Sequence, residues 1–500
     1  MSHGQRPGRR HAYLDLALLG LVVAATFRWT RNLGLLGFDS YAIILTSRIR
    51  SWADFVGTFT ESLMDGRYPG DFYRPILNLT FAADYAAWGV DPLGYQWTSA
   101  LLFGLAVVAL HRLARTVAPG AVHWVVPFVF VLHPAASYVV PFPARRAETL
   151  CCLFLTLAVT SACAPSHRRR WLGPLAVAAF TALAIGSKET GYLAPPLMAL
   201  AAWIAIPGSS LRERLLEALR RAIPSGLAAV GMLLLRWQIL GGLGGHGSSE
   251  VATAPERIGE VALKIGERLV VPASEGLSVA WVVLATAAFA GVALLSRRQN
   301  AGSRAGAPAL AWIALSWLAL SCLTYASAGR MTPWYIFIPA AAWSLVVAAM
   351  ITWLVAGVRS NSRRLVGPSA IGLLGLILLV GYTSQQSLLL RPDQDWIKVT
   401  EASSAVLDSL RESLEASTNG EAVDMELAEA QKVEGRFRFG RQLPAYAVQA
   451  WCELEMPDRN IRVVALSLRE RMVSGTGVQP DEVVVVVPPV RNADGKSPAP

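Results

Sequence analysis

Charge is scarce in this chain. Asp, Glu, Lys and Arg make up 16% of its 500 residues, while 53% are hydrophobic. Soluble domains carry about 25% charged residues, so a soluble globular protein of this size is excluded. Cysteine is also thin, at five residues. Cys151, Cys152, Cys163 and Cys322 fall in apolar stretches, which leaves Cys452 alone in the C-terminal part. No internal disulfide can therefore hold that part together. There is no CxxC pair, no His-rich metal spacing and no internal repeat. The basic head is followed by an apolar stretch but by no small-residue cleavage site, so a removable secretory signal is not expected.

What is present in quantity is apolar runs. A hydrocarbon core of about 30 Å needs about 20 apolar residues per helix. Windows of that kind recur near 12–29, 94–112, 120–134, 147–164, 171–187, 190–207, 223–241, 275–296, 308–326, 333–356 and 365–384. The expected fold is an α-helical polytopic membrane protein with about eleven transmembrane helices. Basic residues give its direction. Arg6, Arg9 and Arg10 stand at the head. Clusters then follow at 111–115, 168–170, 212–221, 297–304 and 359–364, in every second loop. The positive-inside rule puts all of these in the cytoplasm, with the N-terminus in and the C-terminus out. Topology and lipid head groups explain most of the net charge of +10, and no nucleic-acid partner is implied.

The domain boundaries follow. Residues 1–11 form a basic cytoplasmic tail, and 12–384 form the transmembrane domain. A small extracytoplasmic α/β domain is expected over 385–490, and a polar, disordered tail over 491–500. Within the α/β domain the pattern predicts a helix over 396–417. Strands are predicted over 423–430, 445–454, 461–468 and 482–487. Between spans seven and eight, Gly241–Gly247 and a helical stretch over 255–269 fit a lid over an outward cavity as well as an ordinary connector.

The first outward loop, 28–94, is the most informative segment. It is long, rich in aromatics, and opens on a carboxylate, Asp39, just past the first span. Long loops of this kind in a compact domain are usually functional. The outer face also collects Arg74, Arg145, Arg146, Glu148, Lys188, Glu189 and Arg330. Ionisable groups at membrane depth are costly and mark a site or pathway. Snorkelling, or a salt bridge such as Arg146 with Glu148 or Glu189, is the plainer reading of any one of them. Tyr73, Phe81, Tyr85 and Trp88 are expected to anchor the loop on the membrane surface. His133, before Pro134, reads as a locally hydrogen-bonded helix end.

These residues carry a resemblance. The order is Asp39, then Tyr73-Arg74-Pro75, Asp84-Tyr85 and Gly89-Val90-Asp91-Pro92-Leu93-Gly94-Tyr95. His111, His133-Pro134, Arg146-Ala147-Glu148-Thr149-Leu150 and Ser187-Lys188-Glu189-Thr190 complete it. It resembles the GT-C superfamily of membrane glycosyltransferases over about residues 12–340, closest to mannosyltransferase-like members. The resemblance implies a polyprenyl-phosphate-linked sugar as donor and a glycan, lipid or protein hydroxyl as acceptor. The enzyme would be multi-pass in the cytoplasmic membrane, with its site facing outward. It implies Asp39 as general base in an inverting transfer. It also implies cations, Arg146 first and then Arg145, Lys188 and Arg330, on the leaving phosphate. Glu148 and Glu189 would orient these cations or bind sugar hydroxyls. Many members carry Asp-Asp or Asp-Glu after the first span. Asp39-Ser40 departs from that pattern, so a divalent metal is left without support. A flippase for lipid-linked saccharides, and a membrane scaffold with an outward binding domain, remain as other classes.

Overall fold

The computed structural model describes residues 9–35, 39–66, 71–119, 121–164, 172–205, 210–242, 255–270, 306–327, 332–359, 363–384, 387, 394–416, 423–426, 445–458, 461–464 and 485–486. The eighth expected span, Arg330, the two basic clusters at 168–170 and 297–304, and the tail 491–500 lie outside these residues.

Helix α1 (Arg9–Thr30) and α5 (Pro92–Val117) pack antiparallel. At one end Asp15 meets His111, Arg112 and Arg115 at 3.1, 2.8 and 3.4 Å. At the other, Phe27 meets Trp97 edge-on with centroids 5.2 Å apart. Between them come three loop helices, α2 (Ser40–Thr46), α3 (Trp52–Thr60) and α4 (Pro75–Trp88). The second and third have a local cause, while α2 has no side-chain cap. Ser51 and Asp54 form a reciprocal capping box on α3. Pro75 and Pro92 open α4 and α5 at positions where a missing N–H costs nothing.

The bundle continues with α6 (Val125–Leu132), α7 (Arg146–Cys163), α8 (Leu172–Ser187), α9 (Ala194–Ala205) and α10 (Leu211–Leu240). It closes with α11 (Pro255–Val270), α12 (Ala307–Ser327), α13 (Phe337–Val358) and α14 (Arg363–Ser384). Lipid tails offer no hydrophobic drive between helices, so close packing depends on small side chains. On α13, Ala340, Ala341, Ala342 and Ala348 are fully buried in the main core. Leucines and isoleucines on α10 and α14, among them Leu227, Leu234, Ile371 and Leu378, stand exposed as a lipid-facing surface requires.

Six helices among the described residues are long and apolar enough to cross a membrane, and α8 and the second half of α14 are shorter apolar helices. These six fall on the first, second, fourth, seventh, ninth and tenth of the about eleven expected spans, and the eighth lies outside the described residues. The third and sixth expected spans form α-helices of only 8 and 12 residues. Proline acts at one end of each: His133-Pro134 ends α6 in a 3-10 turn, and Pro195-Pro196 lie in the first turn of α9, which continues to Ala205, where the described residues pause. Helix α11 is amphipathic, with Val261, Ile265 and Leu269 buried against the bundle.

The C-terminal residues form α15 (Gln394–Ala416), α16 (Ala445–Glu455) and three short strands. The strands are β1 (Val423–Glu426), β2 (Ile461–Val464) and β3 (Val485–Val486), parallel in the order β2-β1-β3. Val423 pairs with Ile461, and Met425 with Val485. The expected strand over 445–454 is instead helix α16. Its buried residues Ala447, Val448, Trp451 and Cys452 repeat at helical spacing, which outweighs the alternation read from the sequence. This part does not stand apart from the bundle. Trp396 packs edge-on against Phe142 with centroids 4.5 Å apart, beside Leu33. Thr400 Oγ1 accepts the Gly34 N–H at 3.3 Å. Ala450 joins Ile43 and Ile44 of α2 in one buried cluster.

Candidate active site

Asp39 sits at the N-terminus of α2, half-buried, and its side chain makes no cap hydrogen bond. Its Oδ1 accepts a hydrogen bond from the Tyr446 hydroxyl of α16 at 2.7 Å. Burial pushes the Tyr446 phenol up, as do the Asp39 charge and that hydrogen bond, so the hydroxyl stays protonated and keeps donating. Tyr446 lies 407 residues from Asp39 in sequence. No local signal could have found it, because only the docking of α16 on α2 brings it there.

Arg145 begins the next layer. Its guanidinium is held flat between the rings of Phe142 and Trp334, 3.8 and 4.0 Å from their centroids. It donates to the Tyr138 carbonyl at 2.7 Å. The carboxylates of Asp39 and Glu148 both act on it electrostatically. Stacking between two rings is a strong restraint on a long side chain, and it fixes the plane of the guanidinium fork.

Glu148, in the first turn of α7, is buried and ion-paired with Lys188. Its other oxygen accepts from the Tyr325 hydroxyl at 3.3 Å. The Lys188 ammonium lies 5.0 Å from the Tyr335 ring centroid, and Tyr335 is stacked on Tyr325. Lys188 and Glu189 share the turn between α8 and α9. Gly191 makes that turn possible, since a Cβ there would lie 2.5 Å from the Ile185 nitrogen. Glu189 receives two guanidiniums. Arg74, the residue before α4, donates from Nε at 3.2 Å and Nη2 at 2.7 Å, and Arg236 from Nη1 at 3.1 Å. Burial alone would raise the Glu189 carboxyl, but the charge and hydrogen bonds of Arg74 and then Arg236 outweigh it and hold it at about 2.

The structure thus brings Asp39, Arg145, Glu148, Lys188, Glu189 and Arg74 into one charged cluster, and it adds Arg236. The cluster holds four cations and three carboxylates, an excess of one positive charge. Arg146 differs from the others. It is 1% exposed and bonded to the Asp84 carboxylate at 2.7 Å, the Tyr95 carbonyl at 3.1 Å and Thr80 Oγ1 at 3.3 Å. Its partner is Asp84, not Glu148 or Glu189 as the sequence suggested. A fork so enclosed pins α7 to α4 and α5 and offers little to a ligand. The aromatic anchors also need correcting. Tyr73 and Phe81 are buried inside the loop, Tyr73 donating to the Phe59 carbonyl at 2.9 Å, while Trp88 is exposed.

His133 ends α6 as expected. Its Nδ1 accepts the Ala135 N–H at 3.1 Å, so Nε2 carries the proton and donates to the Leu269 carbonyl of α11 at 3.1 Å. Among the described residues no three His, Cys, Asp or Glu side chains group in a way that could hold a metal ion. Asp39 has Ser40 and Tyr446 beside it, and Glu148 and Glu189 are committed to cations. That donor set does not fit a divalent ion at Asp39.

No protein-family model matches the sequence. The protein O-mannosyl-transferase Tmtc1 of Drosophila melanogaster is 32% identical over 143 residues, 28% of this chain and 16% of that protein. The matched stretch is thus a small part of that relative's length. Two solved structures of ArnT from Cupriavidus metallidurans align over nearly the whole chain. The apo form is 13% identical, covering 96% of this chain and 90% of its own, with a TM-score of 0.52. The form bound to undecaprenyl phosphate is 14% identical, covering 94% and 89%, with a TM-score of 0.53. The likeness shows that this chain shares the fold of ArnT.

Proposed function

We propose that this chain, a membrane protein of GT-C fold, is a glycosyltransferase. It would move a sugar from a polyprenyl-phosphate-linked donor to an acceptor hydroxyl. The observation that carries the reading is the convergence of Asp39 with Arg145, Lys188 and Arg74 in one cluster. A scaffold would have no need to gather these charges. A flippase would be expected to place charges near the midplane of its spans. Arg236, the one charge the sequence puts inside the seventh span, lies near the C-terminal end of α10 and is paired with Glu189.

The mechanism follows from the arrangement. Tyr446 occupies one oxygen of Asp39, which orients the carboxylate and leaves the other oxygen toward an acceptor. Asp39 takes the proton from the acceptor hydroxyl as that oxygen attacks the anomeric carbon. The bond from the anomeric carbon to the phosphate oxygen breaks, and the lipid phosphate leaves with the electron pair on the opposite face. The product is inverted. A phosphodiester donor carries one negative charge and the released lipid phosphate approaches two. The cationic excess around Arg145, Lys188 and Arg74 therefore stabilises charge that grows during the reaction, which is where rate is gained. Arg145 replaces Arg146 as the leading phosphate ligand, because Arg146 is enclosed by Asp84. The site would face the extracytoplasmic side, where the positive-inside rule sets the loop. The two ArnT structures support the donor class, since one of them holds undecaprenyl phosphate.

The test is release of polyprenyl phosphate by the protein in nanodiscs supplied with polyprenyl-phosphate sugars and a membrane extract as acceptor. Asp39→Asn is expected to lower turnover by about 10²- to 10⁴-fold, the usual scale of a lost general base, without raising the donor KM. Arg145→Ala is expected to raise the donor KM. Full turnover by a folded Asp39→Asn protein would overturn the assignment.

A further inference from the structure

The first loop contains a second feature that the transfer chemistry does not use. A polar cleft of about 340 Å³ lies among the ends of α2, α3 and α4. Its walls include Arg48, Arg50, Asp54, Glu61, Asp65 and Asn78. Asn78 is the telling residue. It is 7% exposed, yet its Oδ1 has no hydrogen-bond partner. Buried amide oxygens are normally satisfied, and an orphan at the wall of a cleft calls for a donor from outside.

Two further details show a built wall. Met64 and Asp65 hold φ of 59° and 54°, a left-handed backbone that non-glycine residues adopt at a cost and that clusters at functional positions. Gly57 gives Glu61 its room, for a Cβ there would lie 3.2 Å from Glu61 Oε1. The wall carries two guanidiniums against three carboxylates, a net charge of minus one, and its amide oxygen also accepts. A ligand rich in donors and without negative charge fits it.

Helix α3 sets the surroundings. Its cleft face carries Ala53, Asp54, Gly57 and Thr58. Its other face carries Trp52, Phe55 and Phe59, whose rings contact in series at 5.1 and 5.5 Å, and Trp52 is 75% exposed. An aromatic stripe of this kind is suited to the membrane–water boundary. The cleft is also next to the charged cluster. Helix α2 runs from Asp39 to the cleft, about 10 Å at 1.5 Å per residue. Asn78 is one turn past Arg74 on α4, its N–H bonded to the Arg74 carbonyl.

We infer that this cleft binds the uncharged, hydroxyl-rich headgroup of a membrane-anchored acceptor, a glycolipid, with its acyl chains beside the aromatic face of α3. The inference deepens the glycosyltransferase reading and rests on it for the word acceptor. Asn78 Oδ1 accepts from a sugar hydroxyl, and the carboxylates and Arg48 bridge neighbouring hydroxyls.

The experiment uses the full chain in phosphatidylcholine nanodiscs doped with a monoglycosyl-diacylglycerol, with diacylglycerol, or with phosphatidylglycerol. Hydrogen exchange of the backbone over 45–66 and lipid retention by native mass spectrometry are read in parallel. The glycolipid is expected to slow exchange there at least about tenfold, and the other two lipids not to. Asn78→Leu is expected to lose that protection while its Tm rises, because a buried orphan acceptor has been removed. Glu61→Gln, which leaves the helix packing intact, is expected to weaken retention. Equal protection by phosphatidylglycerol, or wild-type glycolipid binding by both variants, overturns the inference. The binding readout needs no turnover. Protection without any transfer would overturn the transferase reading alone, and transfer without protection would overturn this one alone.

Discussion

The charged residues of the outer face look alike in the sequence and have unlike fates. Arg145 and Arg146 are neighbours, but one lies over two rings within electrostatic reach of Asp39 and the other is enclosed with Asp84. The difference comes from helix phase. Arg146 starts α7 and faces α4 and α5, whereas Arg145 ends the preceding 3-10 turn and faces Phe142. Glu189 yields a prediction at this scale. Its carboxyl stands near 4.5 in a free chain and is held at about 2 by Arg74 and Arg236. A lowered folded pKa means that stability from this pair is fully present above about 4.5. It is then lost as pH falls through about 2. The Tm of the wild type should exceed that of Glu189→Gln by a constant margin from about pH 5 upward. That margin should shrink from about pH 4.5 down to about 2. A margin already gone at pH 6 would show that the carboxylate is not held by the two guanidiniums.

At the scale of elements, the docking of α16 on α2 decides how Asp39 is held. Helix α2 has seven residues, too short to be stable alone. It is fixed by Ile43 and Ile44 against Ala450, and by Tyr41 packed on the cluster of Val448 and Trp451. The C-terminal part thus shapes the site from outside the bundle. Tyr446→Phe keeps this packing and removes only the hydroxyl that donates to Asp39. Turnover should fall by about tenfold, in line with about 1.5 kcal/mol for a hydrogen bond to a charged group. The donor KM and the Tm should stay near their wild-type values. An unchanged turnover would mean that Asp39 is positioned by α2 alone. The reading of 445–454 as a strand missed this contact altogether. Alanines at 445, 447 and 450 weaken the apolar periodicity, and the helical spacing shows only once the partner surface is known.

Over the whole molecule, two chemically different ends are visible. Asp15 with His111, Arg112 and Arg115 closes the end where α1 begins and α5 finishes. The Asp39 cluster closes the end where α1 finishes and α5 begins. From the positive-inside rule we propose that the first lies in the cytoplasm and the second outside. A cysteine at exposed Ala87 should react with a membrane-impermeant maleimide in intact cells. A cysteine at exposed Thr116 should react only after permeabilisation. The reverse pattern would turn the molecule over and move the site to the cytoplasmic face.

The sequence by itself determined the class of the molecule and the parts of its loop. Scarce charge and recurring apolar runs require lipid around the helices. Ser51 with Asp54, Pro75, and Asp91 with Pro92 encode the starts of α3, α4 and α5 through local hydrogen bonds and a fixed φ. The carboxylate after the first span, Asp39, could also be singled out from the sequence, but its partner Tyr446 could not. What a charge pairs with was not legible. Pairing depends on which helix face meets which neighbour, and contacts such as Arg74 with Glu189, Arg146 with Asp84 and Tyr446 with Asp39 join residues 62 to 407 positions apart. Only the tertiary structure decided those, since the energy of burying a charge is set by the partner that packing brings to it.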